Sequence, residues 1–312
     1  LLATYLIQNS IWWVEYAHLA GIRMDTYSYP DMQFMAEWTR RMMEEYPNFS
    51  IVGEEWSDNP AIVSYWQRGK KNANGYVSDL TSVMDFPMQD ALSRAMREEE
   101  SPYMSGLIRL YRMLANDFLY PAPNELVVFL DNHDMSRYYT QMDEDPALLR
   151  LGLAVLLTTR GVPQIYYGTE VLLSNKGTDD HGVIRADFPG GWKGDKVNGF
   201  TGEGLSKEAA ATRKFVQTLL QWRKNATAVH TGELRHYAPE NGIYVFFRYD
   251  AQQRVMVVVN KNNQPTSLSL GRFREQLGTA AKGVNVIDGQ AFDLSGETIQ
   301  LPAKAPLVLE LE

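Results

Sequence analysis

The sequence contains no cysteine, so no disulfide framework and no thiolate chemistry is open to it, and its redox compartment goes unmarked. It has no apolar run of the roughly 18 residues that a membrane-spanning helix needs. Long blocks of positive charge are also missing. The formal net charge is -8, and the densest basic cluster, Arg68-Gly69-Lys70-Lys71, reads as a solvated turn. Nucleic acid and other polyanions are therefore not expected as partners. The five histidines do not fall at metal-ligand spacing, and there is no P-loop, dinucleotide fingerprint, G-x-S-x-G elbow or H-E-x-x-H. The first residues, Leu1 to Leu6, lack an initiator methionine, a basic n-region and a signal-like apolar core. They read as the middle of an amphipathic helix already under way, so the chain is expected to be a piece of something longer.

What is present is globular: 312 residues, 45% hydrophobic and 12% aromatic, enough for one sizeable core and a second, smaller domain. Three apolar strands each end in acid. In Ala20-Gly21-Ile22-Arg23-Met24-Asp25, the period of two puts Arg23 and Asp25 on one side. A cation beside a carboxylate favours its charged form, which suits a nucleophile. A single pair of this kind is more often a structural ion pair, but the pattern recurs. Asn48 to Glu54 is a second such strand, followed by Glu55 and Trp56, and Glu125 to Asp134 is a third. Acid-terminated strands separated by helical segments describe a parallel α/β architecture whose strand C-termini carry the chemistry.

Further elements follow from periodicity and turn signals. Leu2, Leu6, Trp13 and Ala17 predict a helix to about His18, with the Trp12-Trp13 pair packed in its interface. Pro30 and Asp31 open a second helix with Phe34, Met35, Trp38 and Met42 as its buried stripe. Asp58-Asn59-Pro60 opens another helical turn; Ser82 to Phe86 reads as a strand ended by Pro87, and helix follows to about Leu114. Asp85 is expected to be a structural cap. Ala147 to Leu157 predicts a buried helix, Gly161 to Gly168 a strand, Leu173 to Leu205 a long polar loop at the rim of the site, and Lys207 to Arg223 a helix. Strands near 20, 50, 82, 126 and 163 make five βα units, where a closed (β/α)8 barrel has eight. Three are expected to lie N-terminal to Leu1. From about Asn225 the texture becomes antiparallel β, with Gly242 to Tyr249 and Arg254 to Asn260 as a hairpin and a sandwich as the expected fold. The expected domains are thus 1–224, a partial (β/α)8 barrel, and 225–312, all β.

Gly21-Ile22-Arg23-Met24-Asp25, Gly53-Glu54-Glu55-Trp56 and Phe129-Leu130-Asp131-Asn132-His133-Asp134 resemble, in order and rough spacing, the second, third and fourth signature regions of the α-amylase family of glycoside hydrolases. Gly161 to Glu170 is similar to that family's last barrel strand, and the texture of Arg185 to Trp192 looks most like the neopullulanase and cyclomaltodextrinase branch. The resemblance implies a retaining glycosidase of α-glucans with Asp25 as nucleophile, Glu54 as acid and base, and Asp134 as a third acid that holds sugar hydroxyls. Glu55 competes with Glu54, but strand alternation and the Gly-Glu-x-Trp motif favour Glu54. Arg23, His133, Trp56, Tyr29 and Arg137 are the expected substrate-binding side chains; Tyr27, Tyr138 and Trp192 are further candidates for sugar stacking, set against the ordinary use of aromatics as core. His18, His181, His230 and His236 are expected at the surface or locally satisfied. The Lys-His pair that many α-amylases carry after the nucleophile is replaced by Ser28 and Tyr29, which argues against a plain endo-acting α-amylase.

The family's first signature region, with its frequent calcium ligand, has no counterpart here. These residues require no cofactor, calcium is left open for the longer protein, and no metal ligand is assigned. The resemblance implies an α-glucan as partner. An open five-strand sheet with two exposed edges and a hydrophobic face predicts a homodimer, strand exchange or poor solubility. The alternatives are an inactive fragment and a non-catalytic amylase-like binding or assembly protein, the latter disfavoured because all three acids are present.

Overall fold

Short parallel strands and capped helices alternate through the first half of the chain in a computed structural model that describes all residues, 1–312. They are α1 (Leu2–Ala17), β1 (Gly21–Met24), α2 (Met32–Glu45), β2 (Ser50–Gly53), α3 (Pro60–Ser64), β3 (Ser82–Val83), α4 (Phe86–Arg97), α5 (Ile108–Leu114) and β4 (Val127–Phe129). Next come α6 (Tyr138–Gln141), α7 (Pro146–Thr158), β5 (Val162–Gln164), α8 (His181–Ile184), α9 (Lys207–Arg223) and α10 (Thr227–His230). The rest is β6 (Glu233–Glu240), β7 (Ile243–Tyr249), β8 (Arg254–Asn260), β9 (Thr266–Ser269), α11 (Arg274–Leu277), β10 (Lys282–Asn285), β11 (Ala291–Asp293), β12 (Thr298–Leu301) and β13 (Ala305–Leu311). No helix is long and apolar enough to cross a membrane.

The chain divides into two compact units: Leu1–Asp90 with Met113–Val128, and Ala91–Arg112 with Phe129–Glu312. In the first, β1, β2 and β3 form a parallel sheet in chain order, and Met84 makes a parallel bridge to Val127. The register pairs Met24 with Gly53, so β1 and β2 end flush and the residues after them emerge side by side. Helix starts follow the capping rules. The Asp31 side chain accepts from the Phe34 N–H at 2.8 Å, and Asn59 accepts from Ala61 N–H ahead of Pro60.

Two expectations fail here for identifiable reasons. Phe86 and Pro87 begin α4 instead of ending a strand. Proline is tolerated in a first helical turn, where its missing N–H has no partner to lose, and Asp85 accepts from the Met88 N–H at 3.1 Å as the cap. In α1 it is Ile7 and Val14 that are buried, while Trp12 and Trp13 are exposed and Trp12 stacks on Tyr16 at 4.7 Å. A helix apolar on several sides has no single stripe to predict its inward face. The inward face lies on α2, where Trp38 donates its indole N–H to Ser10 at 2.9 Å.

In the second unit, Asp145 caps α7 by accepting from Ala147 N–H at 2.8 Å and holds Lys304 at 2.8 Å; Ser206 caps α9. The C-terminal strands build a six-stranded antiparallel sheet, ordered β11-β10-β13-β8-β7-β6, and a two-stranded sheet, β12-β9. Val245, Phe247, Met256 and Val258 of the first pack with Leu268, Ile299 and Leu301 of the second in one core. The other face of the large sheet is covered by α7 and α10, which is why β7 and β8 read as nearly continuous apolar runs. The expected boundary at residue 225 lies inside this unit.

Candidate active site

Arg23 and Asp25 do share a face: Arg23 Nη1 lies 2.7 Å from Asp25 Oδ1. The other guanidinium nitrogen, Nη2, donates to Glu54 Oε1. One arginine thus touches both carboxylates. The backbone explains the placement. Glu54 N–H donates to Met24 O at 3.0 Å and its carbonyl accepts from Tyr27 N–H at 2.9 Å, so the β1–β2 ladder runs one residue past each strand and pins Glu54 on both sides. Its side chain is only 5% exposed, and Oε2 accepts from the Thr26 N–H at 3.0 Å. Thr26 takes a left-handed φ of 45°, unusual for a β-branched residue and of the kind that collects at functional sites. Gly53 is required: a Cβ there would stand 2.7 Å from Leu80 Cδ2 and 3.0 Å from Tyr27 Cγ.

Trp56 is half exposed and stacks on Phe86 at 4.7 Å; Tyr29 is exposed. Tyr27, by contrast, is buried, with its hydroxyl 3.0 Å from Ser78 Oγ, and burial raises its pKa. It belongs to the core and offers no face to a sugar.

Asp134 and His133 form a second cluster within the second unit. Asp134 Oδ2 lies 3.1 Å from His133 Nε2, and Oδ1 accepts from Arg185 Nη2 at 2.6 Å. Arg185 Nε donates to the His133 carbonyl at 2.9 Å, and His181 Nδ1 is 3.0 Å from Arg185 Nη2. Nearby, Asp131 is buried. Burial pushes its carboxyl up to about 6, against hydrogen bonds from the Tyr138 N–H at 2.7 Å and from Thr169 Oγ1.

Arg137 corrects an expectation. It is 1% exposed; its Nε donates to Ile184 O at 2.8 Å, its Nη1 donates to Tyr167 O, and its guanidinium lies 4.1 Å from the Tyr166 ring centroid. A guanidinium spent on protein carbonyls and ring faces has no surface for substrate. Tyr138 is likewise buried core. Arg185, His181 and Thr26 were not assigned roles from sequence; Arg185 lies 51 residues from Asp134, and no local pattern encodes that pairing. No group of three or more His, Asp or Glu side chains converges as a metal ion would require.

Residues 11–254 match the family described as alpha amylase, catalytic domain, and residues 234–310 match the cyclo-malto-dextrinase C-terminal domain. The chain belongs to the α-amylase family. It is 28% identical over 274 residues to a cyclomaltodextrin glucanotransferase of Niallia circulans, covering 85% of this chain and 34% of that enzyme. It is 25% identical over 302 residues to a cyclomaltodextrinase of Geobacillus thermopakistaniensis, covering 95% and 45%. The fold matches that of an Anoxybacillus α-amylase with a TM-score of 0.79 at 22% identity, over 99% of this chain and 62% of that one. The chain therefore spans about a third to a half of the length of these two curated relatives.

Proposed function

We propose that the protein is a retaining glycosidase of starch-type α-glucans, pullulan or cyclodextrins. It would cut α-1,4 bonds, alone or together with α-1,6 bonds, on the last five βα units of a (β/α)8 barrel. Family membership supports the class of chemistry, and the similarity to a cyclomaltodextrin glucanotransferase and a cyclomaltodextrinase supports the substrate class. The observation that carries the mechanism is the single Arg23 guanidinium touching both Asp25 and Glu54. Two carboxyl groups tied to one planar fork stay close. Retaining enzymes hold their pair roughly 5–5.5 Å apart, whereas inverting enzymes need about 6.5–9.5 Å to admit a water.

In the first step Asp25 attacks the anomeric carbon as its bond to the glycosidic oxygen breaks, and Glu54 gives its proton to that oxygen. In the second, Glu54 takes a proton from water, the water oxygen bonds to the anomeric carbon, and Asp25 leaves. As drawn by its hydrogen bonds, Glu54 faces two donors, which is the arrangement of the base. To act as acid, its protonated oxygen must turn from Arg23 toward the leaving group, with Arg23 staying on Asp25. Trp56 offers a ring face to a sugar, and Asp134 accepts from sugar hydroxyls.

Proton NMR of the first product released from a cyclodextrin, by the protein as its gene encodes it, tests this reading. Initial appearance of the α-anomer is expected; initial β-anomer would replace it with an inverting mechanism.

A further inference from the structure

We propose that Arg185 is a positioning residue for Asp134, and that Arg137 with Tyr166 and Tyr167 fixes the stretch of chain from which Arg185 reaches it. The inference rests on the glycosidase reading above and adds to it a way in which the long loop after β5 governs the third acid.

Arg185 makes two directed bonds, Nη2 to Asp134 Oδ1 at 2.6 Å and Nε to the His133 carbonyl at 2.9 Å. Together they fix the carboxylate relative to its own backbone. A planar fork offers these two N–H groups from separate nitrogens in a fixed geometry, whereas an ammonium on a flexible stem would have to reach both acceptors from one atom and would hold the carboxylate less rigidly. Each carboxylate oxygen has two acceptor directions, so Oδ1 keeps one for a sugar hydroxyl while Arg185 holds the other. The pairing orients the acid without consuming it.

The residues on either side of Arg185 are pinned independently. The Ile184 carbonyl accepts from Arg137 Nε at 2.8 Å and from the Tyr166 hydroxyl at 3.4 Å, and the Ala186 carbonyl accepts from the Tyr167 hydroxyl at 3.1 Å. Arg137 is itself locked. Its backbone N–H donates to Asn175 Oδ1 at 2.8 Å, and its guanidinium lies 4.1 and 5.0 Å from the Tyr166 and Tyr167 ring centroids. Nη2 has no hydrogen-bond acceptor, so ring faces supply attraction where a carbonyl is lacking. One buried arginine therefore gathers positions 167, 175 and 184, and the next residue along the chain delivers a second arginine to Asp134.

The Arg185–Asp134 pair is partly exposed, with side chains 45% and 27% accessible, and exposed ion pairs contribute little to folding. Its value is orientation.

The test is a kinetic cycle on a soluble maltooligosaccharide with wild type, Arg185→Ala, Asp134→Asn and the double variant, with melting temperatures recorded for each. Positioning predicts that Arg185→Ala melts like wild type and loses about 10- to 100-fold in kcat, with KM changed far less, the scale on which misplacing a catalytic group by about 1 Å acts. In the Asp134→Asn background the same change adds no further loss, because nothing remains to be positioned. Arg185→Lys, which keeps charge and bulk, is the second variant and loses kcat as well. Wild-type kcat in either Arg185 variant, or losses that multiply in the double variant, overturns the inference and leaves the glycosidase reading intact. A wild type that releases no sugar from any α-glucan overturns both.

Discussion

At the scale of single residues, Glu54 and Glu55 are the sharpest contest. Glu54 is buried and held by Arg23 and Thr26, whereas Glu55 is only partly buried. Glu54→Ala is expected to lose about 10²- to 10⁴-fold on natural glucans, the range for a general acid–base group. On an activated aryl glycoside, added azide should restore turnover and give the α-glycosyl azide, because azide needs no base. Glu55→Ala should stay near wild type; equal losses in both variants would count against the assignment. Asp131 makes a prediction about pH. Its folded value, about 6, lies above the ordinary 3.8, so over that interval the folded state keeps a proton that the unfolded state releases. Stability present below about pH 4 is therefore lost as pH rises through 6. Asp131→Asn should flatten this part of the profile, since an amide can still accept from the Tyr138 N–H and donate to Thr169. Denaturant midpoints at pH 4, 5, 6 and 7 for both proteins measure it, and parallel profiles would contradict it.

At the scale of elements, the flush ends of β1 and β2 depend on Gly53. Gly53→Ala is expected to cost about 1–3 kcal/mol as Leu80 and Tyr27 are forced aside, and to reduce activity by moving Glu54. Chemical denaturation and assay of the same preparation check both. Asp145 caps α7 and pairs with Lys304 before β13; Asp145→Ala should cost about 1 kcal/mol or somewhat more. The elements were legible where a pattern is local. The helix from Lys207 to Arg223 and the hairpin of β7 and β8 follow from period and turn chemistry, and Arg23 with Asp25 from alternation along a strand. Legibility stopped where meaning is tertiary. Arg137 stands four residues after its motif's His133, yet burial gives its guanidinium to Ile184 and Tyr167. Arg185 acquires its partner from 51 residues away. Trp12 and Trp13 look like core because tryptophan usually is, but Ile7 and Val14 take the inward face of α1.

At the scale of the whole molecule, α1 carries Leu2, Tyr5, Trp12, Trp13 and Tyr16 exposed together. An apolar surface of this kind promotes association, so these 312 residues on their own should sediment as dimers or larger species, and Trp12→Lys with Tyr16→Lys should shift them toward monomer. A compact monomer before the change would refute this. The central claim is that Asp25 and Glu54 are the working pair of an α-glucan glycosidase. Reducing-sugar release from soluble starch, pullulan and a cyclodextrin, by wild type beside Asp25→Asn and Glu54→Gln, tests it most directly. The account predicts release by the wild type and loss to background in both variants; release that survives in either one would contradict it.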